Sequence, residues 1–429
     1  MSTSPIALMP TAAADAGLTI VPTVSAAPVT IAPTGGPQST HRDTGVSAGT
    51  NTARVLHVIN GEHYAGAERV QDLLARQLPQ FGFEVGIACV KPVRFPGARE
   101  TKTAPLVELP MKGRFDLRVV GRLTRMVRNG GYELVHAHTP RTALVGRLAA
   151  KRADVPFVYH VHSPAALDST RWMLNRFNAL VERYSVREAE RLIAVSPSLA
   201  RYMIGRGFPA ERVVCVPNGV PSAAAAIDRT PPTGTWTLGA IALFRPRKGI
   251  EVLLETLAAL RSWGSDVRLR AVGGFESPAY ETSVLALADR LGLRDAIEWV
   301  GFTRQINAEL AQMDLFVLPS LFGEGLPMVV LEALSVGVPI IASRVEGVPD
   351  AVTHRETGLL VDPGSVSQLA AAIEEFLRGE VDYVAMSCRG RERHAEQFSD
   401  VAMARGVAGV YRDVLAARVA HVDLRVTAG

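Results

Sequence analysis

The sequence predicts an α/β protein: two tandem, Rossmann-like, doubly wound domains facing each other across a cleft. Three observations predict it. Short β-branched runs alternate with helix-length amphipathic segments over most of the 429 residues, the pattern of parallel strands joined by right-handed crossovers. One stretch, residues 223–236, interrupts the alternation with Ala and Pro and no period, and reads as a linker. The chain is 48% hydrophobic and 21% charged, enough to fill two sizeable cores.

Residues 1–51 are rich in Ala, Thr, Pro, Ser and Gly and nearly uncharged, which predicts a disordered tail. No basic start precedes an apolar core, which argues against a signal peptide. In the first domain, residues 52–222, strands are expected at 54–60, 84–90, 134–138, 157–162, 191–196 and 212–218. A helix over 66–82 carries Val70, Leu73, Leu74 and Leu78 at helical spacing. In the second domain, residues 237–395, strands are expected at 237–244, 267–273, 297–302, 315–320, 339–343 and 358–362. Helices intervene at 249–264 and 327–337, and another follows at 365–379. Residues 396–429 form a last helical segment expected to pack back on the first domain. No apolar run is long enough to predict a transmembrane helix. Cys89, Cys215 and Cys388 lie far apart, without metal-like spacing, as expected of core thiols in a reducing compartment.

The segment FGEGLPMVVLEALSVGVP, Phe322 to Pro339, places Glu324 and Glu332 among apolar and glycine residues. Pro327 reads as the first helical residue and Gly337 as the stop, so Glu324 precedes the helix and Glu332 lies inside it. Taken singly they would be a loop charge and a solvated helix residue. Val329, Val330, Leu331 and Leu334 leave that helix little water, however, and a carboxylate there needs partners. A vicinal diol such as a ribose offers two donors to Glu332. Phosphates suit the helix N-terminus, and whatever hangs from them would meet Glu324. Arg245, Arg247 and Lys248 sit between a strand and a helix opening at Gly249, a cationic site for a diphosphate or else a basic surface turn.

Together these residues resemble the family 4 glycosyltransferases, retaining enzymes of the GT-B fold. The likeness runs from about residue 54 to 420. It rests on the paired-glutamate segment with its continuation GVPIIASRVEGVPDAVTHRETGLLVDPGS, on RPRKG, and on GAERV, ELVHAHTPR, VHSP and RLIAVSPSLARYMIGRGFPAERVVCVPNGV. The resemblance implies glycosyl transfer with retention from a nucleotide-diphosphate sugar to a glycan or lipid-linked acceptor, in surface polysaccharide or glycolipid biosynthesis. It assigns Glu332 to the ribose. Glu324, with the backbone of Gly325, Leu326, Pro327 and Met328, is assigned to the donor sugar. Lys248 with Arg245 or Arg247 would hold the diphosphate and Gly66 would face the phosphates. His162 would stand beside the sugar, and Asn218 and Gly219 would shape the cleft edge. The chain departs from the family pattern at Tyr64-Ala65 and at Leu243, where the family more often has a glycine and an arginine.

No cofactor and no metal is implied. His136 and His138 alternate on one strand and are expected to line the core or the cleft rather than pair on an ion. Residues 52–222 hold 25 Lys and Arg against 14 Asp and Glu, a balance of +11, and residues 223–429 come to −6. Nothing points to nucleic acid. Arg114, Arg118, Arg122, Arg125 and Arg128 form one helical stripe, with Phe115, Val119, Leu123 and Met126 beside it. Residues 112–128 therefore suggest an anionic membrane surface, and residues 171–188 form a second basic, partly aromatic segment. Alternatively, the stripe is the wet face of a core-packing helix. The expected location is cytoplasmic, peripheral at the inner face of the membrane. Two rival functions share the plan: a nucleotide-sugar epimerase, and a non-catalytic nucleotide-sugar-binding protein. An oxidoreductase is disfavoured because no G-x-G-x-x-G follows the first strand.

Overall fold

The computed structural model describes residues 52–113, 116–163, 180–223 and 228–427, with side chains to residue 420. The expected tail, Arg114, Phe115 and the first half of the second basic segment, residues 171–179, lie outside the described residues. Among those described, two parallel sheets form. The first contains β1 (Ala53–Ile59), β2 (Phe83–Cys89), β3 (Leu106–Glu108), β4 (Leu134–Ala137), β5 (Phe157–Val161), β6 (Arg191–Ala194) and β7 (Val213–Cys215). The second contains β8 (Trp236–Ile241), β9 (Val267–Val272), β10 (Ile297–Gly301), β11 (Leu315–Leu318), β12 (Ile340–Ser343) and β13 (Gly358–Val361). The strand orders are β3-β2-β1-β4-β5-β6-β7 and β10-β9-β8-β11-β12-β13. Each reverses direction of growth at its centre, and the carboxyl ends of strands at such a point form a crevice. The loops after β1, β4, β5, β8 and β11 carry the functional candidates.

Strand expectations fall within a few residues of these elements because Val, Ile and Leu fill both buried faces of a parallel sheet. β3 was not expected; its three residues are half-buried or exposed at the sheet edge and carry no periodic signal. Ser and Thr caps start many of the crossover helices: Thr139 forms a reciprocal capping box, and Ser196 accepts from Leu199 N at 3.2 Å. Pro327 is not the first helical residue but the N-cap, with φ −70° and ψ 119°; the helix is Met328–Val336 and Gly337 closes it at φ +74°. The Arg118–Asn129 helix buries Val119, Leu123 and Val127 in the core. Its apolar stripe is thus not available to lipid, and Arg118, Arg122, Arg125 and Arg128 face water together with Gly121 and Asn129.

The Asp400–Thr427 helix packs on the first sheet. The chain crosses over where Val220 N donates to Phe398 O at 2.9 Å and Asp400 N donates to Val220 O at 3.1 Å. Asp400 accepts from Arg76 at 2.7 Å and Gln77 at 2.6 Å, both from the Gly66–Gln77 helix. Tyr411, 0% exposed, reaches the sheet and bonds His57 Nε2 at 2.9 Å and His136 Nδ1 at 2.6 Å.

Arg229 was expected to be linker. Its guanidinium is buried and donates to the carbonyls of Val336 at 3.2 Å, Met313 at 2.7 Å and Leu310 at 3.0 Å. One cation thereby satisfies carbonyls at the ends of two helices, the favourable pole for positive charge. One of those helices carries Glu332. Hydrogen bonds from a charged donor are worth about 1.5–3 kcal/mol each, less than additively. Arg229→Met should lower unfolding stability by about 2–4 kcal/mol, measured by urea denaturation; Arg229→Lys, unable to span three carbonyls, should recover less than half of that.

Candidate active site

Glu324 follows β11 in a loop pinned from two sides. The backbone N–H groups of Gly323 and Glu324 donate to Glu346 Oε2 at 2.8 and 3.0 Å, and Gly347 N donates to Glu324 O at 2.9 Å. Glu346 takes a positive φ of 25°, a strained conformation for a side-chain-bearing residue. Beside it, Gly347 and Gly325 pack backbone to backbone: a Cβ on Gly347 would lie 1.5 Å from Gly325 O, and one on Gly325 would lie 1.9 Å from His162 O. Sequence reasoning missed Glu346. It sits where a charged side chain in a glycine-rich turn reads as ordinary surface.

The Glu324 carboxylate is 5% exposed. Its Oε1 accepts from Lys248 Nζ at 2.5 Å and Ser320 Oγ at 2.6 Å, with Arg247 at 3.9 Å. Burial raises its pKa, but the Lys248 and Arg247 charges and the two hydrogen bonds more than offset that, and the carboxyl ends below its usual value. Burial lowers Lys248 from its usual value, against the opposing pull of Glu324. Arg247 also donates to the carbonyls of Phe322 at 3.2 Å and Gly323 at 2.9 Å, lashing the two loops together. Of the three expected cations, Arg247 and Lys248 therefore converge on Glu324, while Arg245 pairs with Glu276 at 3.7 Å. Leu243, at the departure noted above, is 40% exposed.

Glu332 is 4% exposed on the Met328–Val336 helix, whose first turn has no side-chain cap. Its Oε1 pairs with Arg69 from the opposite lobe. Sequence could not single out Arg69 from other helical arginines, since its partner lies 263 residues away. A cavity of about 360 Å³ opens here, lined by Tyr64, Arg69, Asp72, Glu100, Arg304, Asn307 and Glu332. Tyr64 itself donates to Asp72 at 2.7 Å. Gly66 starts the Gly66–Gln77 helix, and a Cβ there would meet nothing within 4 Å. A second cavity of about 260 Å³ is lined by Ser198, Arg201, Tyr202, Glu324, Gly325 and Glu346. Leu326, Pro327 and Met328 are buried between the lobes, and Asn218 Nδ2 donates to Leu326 O at 3.1 Å. Gly219 is packed under the chain crossover, where a Cβ would lie 2.1 Å from Ser399 O.

His162 follows β5 and its Nε2 lies 3.2 Å from His138 Nδ1. Burial lowers its pKa to about 3, so the ring is neutral near pH 7. Behind it His57, His136, His138 and His160 are buried, and burial lowers them as well. The site can thus present two buried carboxylates, a pair of cations and a helix N-terminus to a ligand carrying a diol and a diphosphate. A neutral imidazole stands where the lobes meet.

Comparison with known proteins bears on the family and the fold. Residues 64–223 match the family described as Glycosyltransferase Family 4, and residues 226–393 match Glycosyl transferases group 1. A D-inositol 3-phosphate glycosyltransferase of Thermobispora bispora is 31% identical over 381 residues, covering 80% of this chain and 88% of that one. The amylovoran biosynthesis glycosyltransferase AmsK of Erwinia amylovora is 28% identical over 218 residues, 49% of this chain and 53% of that one. The crystal structure of Anabaena HepE with UDP-glucose superposes with a TM-score of 0.74 at 22% identity, covering 84% of this chain and 99% of that one; it shares the fold.

Removing one partner of a buried ion pair costs about 3–5 kcal/mol. Glu324→Gln should destabilise the protein by about that amount, and Lys248→Met with it should restore a large part. A urea-denaturation double-mutant cycle would check the coupling. The sign with pH follows from the lowered carboxyl: the stabilisation is complete above the usual value of 4.5 and is lost as pH falls through the lower folded value.

Proposed function

The chain belongs to glycosyltransferase family 4, and from that membership we propose that it moves a sugar, with retention, from a nucleotide-diphosphate sugar to a glycan or lipid-linked acceptor. The observation that carries the donor assignment is the pair of buried carboxylates flanking one open helix N-terminus, each matched by a cation. Glu332 takes the ribose diol, exchanging one oxygen's contact with Arg69 for hydroxyl donors. The diphosphate lies against the Met328–Val336 helix end, with Lys248 and Arg247 neutralising charge as the leaving group departs. Arg245 extends the cationic rim, and Gly66 leaves room for phosphate from the opposite lobe. Glu324 and the Gly325–Met328 backbone orient the sugar. His162, neutral near pH 7, serves as a hydrogen-bonding group beside it. Among the described residues, the cavity beside Glu324 is lined from the first lobe by Ser198, Leu199, Arg201 and Tyr202 and by no carboxylate, which speaks against the epimerase alternative.

AmsK is named for amylovoran biosynthesis, and the Thermobispora relative for D-inositol 3-phosphate. An inositol phosphate is a hydroxyl compound bearing negative charge, which suits the basic first lobe. No described helix is long and apolar enough to cross a membrane. The exposed arginines of the Arg118–Asn129 helix would instead hold the enzyme electrostatically at an anionic cytoplasmic membrane face.

Nucleoside diphosphates should raise the melting temperature of the wild-type chain in a thermal-shift panel. Glu332→Ala should abolish that shift and reduce sugar transfer at least about 100-fold, about 2.7 kcal/mol of lost transition-state binding. A Glu332→Ala enzyme with full turnover would refute the donor assignment. In flotation with phosphatidylserine-containing liposomes at low salt, the wild-type chain should float. Arg122→Glu/Arg125→Glu should stay at the bottom, and equal flotation of both would exclude the arginine face as the contact.

A further inference from the structure

Five of the first lobe's six histidines, His57, His136, His138, His160 and His162, lie together and are more than cleft lining. β1 and β4 pair so that His57 faces His136 across the ladder, and alternation puts His138 on the same face two residues on. Their ring centroids are 4.9 Å (His57–His136), 5.0 Å (His57–His138) and 4.1 Å (His136–His138) apart. One nitrogen from each ring lies within 4.8 Å of one from each of the others. All three side chains are buried.

Each ring has one nitrogen in a protein contact and one without. Tyr411 Oη takes His57 Nε2 and His136 Nδ1, and His162 Nε2 takes His138 Nδ1. Among the described residues, no group pairs with His57 Nδ1, His136 Nε2 or His138 Nε2. A buried polar atom left this way costs about 1–3 kcal/mol, so three in one buried cluster call for an occupant. An orienting hydrogen bond on one nitrogen with a lone pair on the other is the arrangement in which imidazoles ligate metals. With no carboxylate in the set, Mg²⁺ and Ca²⁺ are poor fits, and imidazole suits the zinc and late first-row ions.

We propose that His57, His136 and His138, oriented by Tyr411, hold one divalent ion of the zinc class in the core of the first lobe. Small side-chain rotations bring the nitrogens to the roughly 3.3 Å separation that tetrahedral bonds of about 2.0 Å require. The fourth position faces His160, whose two ring nitrogens are also unpartnered and whose ring lies 5.3 Å from His136. The site is structural: it locks the Asp400–Thr427 helix to β1 and β4 and fixes His138 behind His162. It is independent of the sugar-transfer reading.

The test uses the full chain, untagged, expressed with Zn²⁺ or Co²⁺ supplementation and treated with EDTA to strip surface ions. About one ion per chain should be retained, and the Co²⁺ form should absorb in the visible as a tetrahedral nitrogen complex. His57→Gln and His136→Gln should each retain less than about a tenth of that. Tyr411→Phe should keep the ion with affinity about 10–100-fold weaker. X-ray absorption on wild-type protein, which needs no variant to fold, should show at least three nitrogen neighbours at about 2.0 Å. A wild-type chain without stoichiometric metal, a sulfur or all-oxygen shell, or undiminished metal in His57→Gln/His136→Gln would overturn the proposal.

Discussion

A carboxylate taken out of water must be compensated, and in this protein the compensation of Glu324 organises the cleft. Lys248 and Arg247 come from the loop after β8, Glu324 and Ser320 from the loop after β11, and those strands are neighbours at the centre of the second sheet. The ion pair thus ties the two loops that border the crevice. Arg247 reinforces it by bonding the carbonyls of Phe322 and Gly323. Glu346 grips the same loop through its amides, at the expense of a strained backbone. The resulting loop is held from several sides at once, by an ion pair, by donors to two of its carbonyls and by an acceptor for two of its amides.

The lobes are joined by polar contacts rather than by packing alone. Arg69 meets Glu332, Asn218 meets the Leu326 carbonyl, and Ser198 N donates to Asp350 at 2.9 Å. Such polar contacts exchange readily with water, while Leu326, Pro327 and Met328 pack between the lobes beside them. The Arg69–Glu332 pair is the informative one. It matches a buried carboxylate with a cation from the opposite lobe.

Much of this was legible in the sequence. Runs such as LFVL and PIIAS could only be buried parallel strands, and two glutamates in an apolar frame demanded partners. The resemblance supplied roles that composition could not. What stayed hidden depended on distance along the chain or on strand order. Arg229 looked like linker because its three carbonyl partners are supplied by tertiary structure. Glu346 looked like surface because its partners are backbone amides. His136 and His138 were visible as an alternating pair, but His57 joins them only because β1 lies beside β4 in the sheet. Arg122 and Arg125 were visible as a stripe, yet the apolar stripe beside it was spent on the core.

Tyr411 belongs by sequence to the last stretch of the chain and by contact to the centre of the first sheet, 275 residues from His136. During synthesis, β1 through β7 emerge from the ribosome long before the helix that covers one of their faces. The first lobe must therefore wait, with a histidine-lined surface open to solvent, until the second lobe has been made. A nascent chain stalled before residue 400 would hold a finished second sheet and an incomplete first one. The order of birth and the order of completion are reversed, and a chaperone's protection matters most for the half that appears earliest.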